Sequence, residues 1–172
     1  MQRRLHSYCD LVRLPNLFTA AADVLAGFLF AGGKPDEWFV LVRLIAASVC
    51  FYAGGVALND VCDAKQDAVE RPHRPIPSGL IDRTAALRVS CWLLIFGVAL
   101  AATVSTQALL VATAILASII FYNLLKRTHL APPMMGLCRV FNLLLGMHGL
   151  ETLVPLSAAR PMGVMFLYIA SL

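Results

Sequence analysis

Charged side chains are scarce in this sequence. Asp, Glu, Lys and Arg make up only 14% of its 172 residues, whereas 59% are hydrophobic, and the mean hydropathy is +0.76. Soluble domains carry a charge on about a quarter of their residues. A chain with so few charges cannot cover its surface with polar side chains. The composition therefore excludes an ordinary soluble domain and predicts that lipid is the solvent.

The sequence also lacks paired cysteines and a continuous basic segment. Its five cysteines are odd in number and include no C-x-x-C pair, which argues against a disulfide framework and a zinc site. We interpret them as small apolar residues in membrane helices. The net charge of +4 is modest and its basic residues form no single run, so nucleic acid is not expected as a partner. No protein partner is predicted either.

Long apolar stretches account for most of the chain. A helix needs about 20 residues to cross the hydrocarbon core of a bilayer. The sequence therefore predicts an all-α, multi-pass integral membrane protein in which 1–172 form one helix bundle. Its spans are expected at about 11–31, 38–58, 84–104, 107–125 and 133–150, with the start of a sixth at 160–172.

Basic residues fall unequally on the two sides of these spans. Eleven lie on the side of the N-terminus and three on the other, which predicts by the positive-inside rule that the N-terminus is cytoplasmic. The loops after spans two and four then face the cytoplasm as well. We expect the membrane to be a bacterial inner membrane or an organelle membrane. The three basic residues on the far side are Lys34, Arg43 and Arg160.

Three aspartates follow the second span at helical spacing. If the helix continues past Asn59, then Asp60, Asp63 and Asp67 share one face, where their carboxylates repel one another unless a cation holds them or some are protonated. Oxygen ligands of high charge suit Mg²⁺, which commonly bridges carboxylates to substrate phosphates. The spacing predicts a magnesium site with these three aspartates and Asn59 as ligands. A solvated charged loop is the alternative.

Cationic side chains near this motif suit phosphate oxygens. Arg71 and Arg74 follow the aspartates and offer permanently charged forks. Tyr122 and Lys126 are four residues apart near the end of the fourth span, so they share a helix face on the same side of the membrane. An interfacial tyrosine with a positive-inside lysine is the other interpretation of this pair.

Two further spans carry polar stripes at helical spacing. Ionisable residues inside a span normally face a bundle interior or a cavity rather than lipid. An ion pair between Asp23 and Arg139 that serves only the structure is an equal alternative. The stripes consist of Asn16, Thr19 and Asp23 in the first span and of Arg139, Asn142 and Gly146 in the fifth.

The acidic motif resembles that of the UbiA-type intramembrane prenyltransferase superfamily. The matching residues are N-D-x-x-D-x-x-x-D at 59–67, E-R-P-x-R-P-I-P-S-G at 70–79 and Y-x-x-x-K at 122–126. The phrase NLFTAAADVLAGF, at 16–28, is similar to a branch called EboC-like. The resemblance implies a nine-helix bundle around a central cavity, of which about five to six helices are present here.

The resemblance also implies an activity: Mg²⁺-dependent transfer of an isoprenyl group from a polyprenyl diphosphate to an aromatic or other lipid-soluble acceptor, as in quinone or lipid biosynthesis. It implies metal ligation by Asn59, Asp60 and Asp63, with Asp67 in or beside that shell. The residues expected in catalysis are Asp60, Asp63 and Lys126. Those expected to bind the diphosphate are Arg71, Arg74, Tyr122, Lys126 and Asn16.

One departure from the family pattern limits this expectation, and two other functions are alternatives to it. The second Asp-rich motif of the family has no counterpart after Ala131, so we expect this sequence to be the N-terminal portion of a longer protein. A truncated, non-catalytic membrane protein that binds isoprenyl diphosphate or lipid is the alternative function. A CDP-alcohol phosphotransferase is disfavoured because Asp60 is followed by Val61 where that class needs glycine.

Overall fold

Six α-helices make up most of the chain in the computed structural model, which describes residues 2–126, 128–129, 131–147, 163–164 and 167. Most of the predicted sixth span and the end of the predicted fifth lie outside the described residues. The helices are α1 (Gln2–Leu11), α2 (Leu17–Phe30), α3 (Trp38–Glu70), α4 (Arg83–Ala102), α5 (Thr106–Leu125) and α6 (Ala131–Gly146).

Three of the described helices, α3, α4 and α5, are long and apolar enough to cross a membrane, and α2 is a shorter apolar helix. Large apolar side chains stay exposed on their outer faces, among them Trp92 at 72% and Leu124 at 72%. An exposed apolar surface of this extent suits lipid rather than water. The predicted all-α membrane fold is confirmed.

Two helix boundaries differ from the predicted spans. The first span was expected from 11, but α2 begins at Leu17, because Arg13 adopts a left-handed conformation (φ 49°) and a 3₁₀ turn with Pro15 follows it. The second span was expected to end at 58, but α3 continues to Glu70. No proline or glycine occurs between Gly55 and Pro72, so nothing in the sequence breaks this helix earlier.

The helices α2 and α6 approach each other through glycine. A Cβ atom on Gly27 would overlap the backbone carbonyl of Leu143, and one on Gly146 would overlap that of Val24. Small residues let membrane helices pack backbone against backbone. This close crossing fixes the relative height of the polar residues on α2 and α6.

One end of the bundle gathers the segments that carry most of the polar residues. Since successive helices run in opposite directions, the start of α2, the end of α3 and the end of α5 lie together. Arg83 at the start of α4 donates from Nε to the Val61 carbonyl at 3.1 Å. Asp82 caps α4, and the hydrogen bonds it accepts, chiefly from the Ala85 N–H, hold the pKa of its carboxyl below its usual range.

Candidate active site

The aspartates of the acidic motif occupy one face of α3, as the spacing predicts. At about 100° per residue, Asp60 and Asp67 point within about 20° of each other, with Asp63 beside them. Asp60 is 5% exposed and Asp67 is 4% exposed, whereas Asp63 is half-buried. Buried carboxylates need charged or hydrogen-bonding partners, so their surroundings decide what the face can do.

Arg74 holds two of these carboxylates together. Its Nη1 atom lies 3.2 Å from Oδ1 of Asp60 and 2.6 Å from Oδ2 of Asp67. The proline-rich turn after α3 folds back to bring it there: the Arg74 N–H donates to the Arg71 carbonyl, and the Ser78 N–H donates to the Arg74 carbonyl. One guanidinium between two carboxylates removes much of their mutual repulsion.

Lys126 pairs with the third aspartate. Its Nζ atom lies 2.5 Å from Oδ1 of Asp63, and both side chains are largely buried. Nζ has no aligned hydrogen bond within the described part of the chain, so distance alone defines this contact as an ion pair. The contact joins the end of α5 to the acidic face of α3, which places the Y-x-x-x-K element beside the aspartates.

A cavity of about 410 Å³ opens beside the acidic face, between α2, α3, α5 and α6. It extends along α3 from Asn59 to Ser48, eleven residues or about 16 Å at the rise of a helix. Most of its wall is apolar, and polar side chains lie both near Asn59 and farther along the cavity. The apolar lining residues include Phe51, Val56, Ile115, Ile119 and Met135, and the polar ones include Arg13, Asn59, Tyr122, Asn123 and Arg139.

Two residues that line this cavity have side-chain oxygens that accept no hydrogen bond from the described residues. Oδ1 of Asn59 and Oδ1 of Asn123 are buried and have no hydrogen-bond partner among the residues that the structure describes. The Asn123 amide is oriented by its Nδ2 atom, which donates to the Ile119 carbonyl at 2.9 Å. A buried acceptor without a donor costs about 1–3 kcal/mol, so both oxygens favour a ligand that supplies positive charge or a proton.

The donor set fits Mg²⁺ with a substrate phosphate. Asn59 supplies a spare oxygen, and Asp63 lies one helical turn away beside Asp60. No three acidic, His or Cys side chains of the described residues come close enough to form a metal cage alone, and the carboxylates of the motif are instead paired with Arg74 and Lys126. Mg²⁺ usually takes only one or two carboxylates and completes its shell with waters and phosphate oxygens.

The structure brings most of the predicted site residues together and leaves two apart. Tyr122 lines the same cavity as Asn59. Arg71 is exposed at the end of α3, and Asn16 is exposed in the turn before α2, outside the residues that line the cavity. The roles of Arg71 and Asn16 in binding the diphosphate stay predictions.

Arg13 is a site residue that the sequence did not reveal. In the sequence, Arg13 contributed only to the count of basic residues on the two sides of the membrane. In the structure, its Nη2 atom lies 3.4 Å from Oδ1 of Asp60 and its side chain lines the cavity. These two residues are 47 positions apart, and no local spacing links them. Only the packing of the α1–α2 turn against α3 brings them together.

A second polar cluster lies between α2 and α6. Nη2 of Arg139 donates to Oδ1 of Asp23 at 2.9 Å, and Nδ2 of Asn142 lies 3.4 Å from Oδ2 of Asp23 and 3.0 Å from the Ala20 carbonyl. The ion pair between Asp23 and Arg139, which the sequence offered as one of two alternatives, is therefore present. Arg139 and Asn142 also line the cavity, so the pair is not sealed in the protein interior.

Comparison with known families identifies the fold that holds this site. The sequence profile described as the UbiA prenyltransferase family matches residues 20–172. The chain belongs to the UbiA prenyltransferase family. The resemblance carried by the acidic motif is thereby confirmed.

Curated relatives in this family are digeranylgeranylglyceryl phosphate synthases. The one from Methanopyrus kandleri is 39% identical over 118 residues, and the one from Saccharolobus solfataricus is 35% identical over 122. Each match covers 69% of this chain and 42% of the relative. The chain thus spans less than half the length of these relatives.

A solved structure has the same arrangement of helices. It superposes with a TM-score of 0.83, with 24% sequence identity, over 99% of this chain and 59% of the other. Its description reads "Structural and mechanistic insights into the biosynthesis of Digeranylgeranylglyceryl phosphate synthase in membranes". At this identity the similarity shows the fold: the described helices form part of a UbiA-type membrane bundle.

Proposed function

We propose that this UbiA family member takes part in transferring an isoprenyl group from a polyprenyl diphosphate to a lipophilic acceptor, with Mg²⁺ as cofactor. The observation that carries the proposal is the meeting of the acidic face of α3 with Lys126 and Arg74 at one end of a mainly apolar cavity. A diphosphate needs the charged end, and an isoprenyl chain needs the apolar wall.

The charge balance supports binding of metal and diphosphate together. The three carboxylates of the motif are already matched by the three cations that contact them. A diphosphate therefore adds negative charge that the protein alone does not offset, and a divalent cation would offset much of it. Asn59, Asp60 and Asp63 would hold the metal, with Asp67 adjacent.

Arg74 and Lys126 lie where each could exchange its aspartate partner for a phosphate oxygen. Arg74 and Lys126 each contact a motif carboxylate, and they come from segments on either side of the acidic face. If the carboxylates hold Mg²⁺, Arg74 and Lys126 would be free to donate to phosphate oxygens a short distance away. Fixed positive charge at that place stabilises the negative charge that develops on the leaving group. Tyr122 lies on the same face of α5 as Lys126 and orients the bound diphosphate.

The chemistry requires few acid–base groups from the protein. The bond between C1 of the isoprenyl group and the diphosphate oxygen breaks, and its electron pair leaves with the diphosphate. The acceptor bonds to C1 and releases a proton. When bound, Mg²⁺ neutralises the leaving group. Apolar residues such as Phe51, Ile115 and Ile119 keep water away from the electrophilic carbon.

The relatives suggest which substrates to test first. Their named product, digeranylgeranylglyceryl phosphate, carries two geranylgeranyl groups on a glyceryl phosphate. For this chain we propose geranylgeranyl diphosphate as donor and geranylgeranylglyceryl phosphate as acceptor, which places it in lipid rather than quinone biosynthesis. With the predicted orientation, the charged end of the cavity faces the cytoplasm.

The test uses the protein in lipid nanodiscs with radiolabelled geranylgeranyl diphosphate, with and without Mg²⁺ and the acceptor. We expect binding that requires Mg²⁺ and transfer that requires both Mg²⁺ and the acceptor. Mg²⁺-dependent binding without transfer would support the alternative of a non-catalytic diphosphate-binding protein. If no diphosphate binds, both functions are wrong.

A further inference from the structure

Arg139 lies in the cavity but takes no part in the proposed diphosphate site. It is eight residues after Ala131, the first residue of α6, which puts it about 12 Å along that helix from the charged end. Its side chain is 30% exposed and lines the cavity. An ionisable residue at such a depth in a membrane bundle usually faces a ligand or a polar path.

The surroundings of Arg139 fix its position and leave donors free. Oδ1 of Asp23 accepts one N–H from Nη2, and Asn142 contacts the other oxygen of that carboxylate. The glycine crossing of α2 and α6 holds these elements at one height. A guanidinium has five N–H donors. Nε is buried and has no hydrogen-bond partner among the described residues.

The charges that line the cavity favour an anion. Among its described lining residues are two guanidinium groups, those of Arg13 and Arg139, and no carboxylate. Arg13 lies against Asp60 at the charged end, so Arg139 is the cation nearer the middle of the bundle. A guanidinium fork matches the paired oxygens of a phosphate or a carboxylate.

We propose that Arg139 binds the anionic headgroup of the acceptor and selects acceptors that carry one, with Asp23 and Asn142 as positioning residues. The inference rests on the proposed function, because it presumes that the donor diphosphate occupies the acidic end. A phosphate or carboxylate at Arg139 then keeps the acceptor in the cavity beside the isoprenyl carbon. Asp23 prevents the guanidinium from turning toward the donor diphosphate.

The experiment compares two acceptors that differ only in charge, geranylgeranylglyceryl phosphate and geranylgeranylglycerol. Their affinities are measured in nanodiscs with Mg²⁺ and an unreactive thiodiphosphate analogue of the donor. The unmodified protein should bind the phosphate form about 10- to 100-fold more tightly, as expected for charge-assisted hydrogen bonds. Arg139→Gln should reduce this preference to about twofold or less and leave the affinity for the neutral acceptor unchanged.

Further variants separate recognition from folding. Arg43→Gln is the matched control, because Arg43 donates to the Phe39 and Thr103 carbonyls and does not line the cavity. It should keep the full preference for phosphate. Arg139→Lys keeps the charge without the fork and should retain only part of the preference. Binding of the donor analogue reports for each variant whether the bundle is folded.

The outcomes distinguish this inference from the proposed function. A phosphate preference that survives in folded Arg139→Gln protein overturns the inference while the donor site stands. Absence of donor binding in the unmodified protein overturns the proposed function itself. A third probe, 4-hydroxybenzoate, separates the two sources of the anion. Binding of this carboxylate that is lost in Arg139→Gln supports the same role for Arg139 with an aromatic acid as acceptor.

Discussion

Two groups of paired acids and bases lie in this bundle, and the chain assembles them differently. At the end of α3, one helical face and the turn after it supply Asp60, Asp67 and Arg74 within fifteen consecutive residues. Between α2 and α6, Asp23 and Arg139 come together from positions 116 apart. The first group depends on local spacing, and the second depends on the packing of two helices.

The two groups also differ in which of their buried atoms lack a hydrogen-bond partner among the described residues. Near the end of α3, the buried atoms without a hydrogen-bond partner among the described residues are the acceptor oxygens of Asn59 and Asn123 and Nζ of Lys126, which is ion-paired with Asp63. In the second group the free atom is a donor, Nε of Arg139. An acceptor-rich end suits a cation with its diphosphate, and a donor-rich middle suits an anion. Under the proposed function, one cavity would therefore suit two substrates of different chemistry, and the following predictions test whether the two groups act separately.

The largest effect should come from the acidic face. Asp60→Asn or Asp63→Asn removes a negative charge and replaces one carboxylate oxygen with an NH₂ group, so we expect Mg²⁺-dependent transfer to fall by about 100- to 1,000-fold or more. Initial rates with geranylgeranyl diphosphate measure the loss. Asp36→Asn, an exposed carboxylate in the turn before α3, is the control and should keep full activity. Near-normal turnover in Asp60→Asn or Asp63→Asn would contradict the metal assignment.

The two arginines after the motif should differ from each other. Arg74→Gln leaves the buried carboxylates of Asp60 and Asp67 without their shared cation, which costs about 3–5 kcal/mol for a buried pair. We expect lower thermal stability and weaker diphosphate binding. Arg71→Gln, in the same turn but exposed, should have a much smaller effect on both. Equal losses in the two variants would show that burial does not distinguish them.

A steric change tests the second group without altering a charge. Gly27→Ala forces α2 and α6 apart, because the added Cβ overlaps the Leu143 carbonyl, and overpacking of this kind costs about 1–3 kcal/mol. Thermal unfolding in detergent measures the cost. Gly55→Ala is the control, since its Cβ would lie 3.4 Å from Ile119, an ordinary contact. An unchanged melting temperature in Gly27→Ala would contradict the close crossing.

The smallest effect should come from Arg13. Its side chain is 39% exposed and its contact with Asp60 is 3.4 Å long, so the pair contributes about 0–1 kcal/mol. Arg13→Gln should weaken diphosphate binding by about fivefold at most, with a lower sensitivity to salt. A titration at two ionic strengths checks this. A loss as large as that of Arg74→Gln would mean that Arg13 binds the diphosphate directly.

Much of the fold followed from the sequence because hydropathy and helical spacing are local properties. The spans of α4 and α5 lie within a few residues of their predicted bounds. The helix α2 begins at Leu17, six residues after the predicted start of the first span. The left-handed residue Arg13 and Pro15 interrupt the apolar segment, which a hydropathy average treats as continuous. A hydropathy value averaged over a window of residues does not report the backbone conformation of any one residue.

The candidate site was predictable where its members share one helix and not where they meet by packing. The shared face of Asp60, Asp63 and Asp67 followed from their spacing. The difference in exposure between Arg71 and Arg74 did not follow from the sequence, because it depends on how the turn after α3 folds back over Arg74 and leaves Arg71 exposed. The division of the aspartates between Arg74 and Lys126 and the approach of Arg13 depend on contacts between segments distant in the chain.

The central claim is that the end of α3 binds a diphosphate through a metal. Its most direct test is a titration of geranylgeranyl diphosphate into the nanodisc-embedded protein, with and without Mg²⁺, for the unmodified protein and for Asp63→Asn. The account predicts saturable binding that requires Mg²⁺ and is lost in Asp63→Asn. Binding that is equally tight without Mg²⁺ and in Asp63→Asn would contradict it.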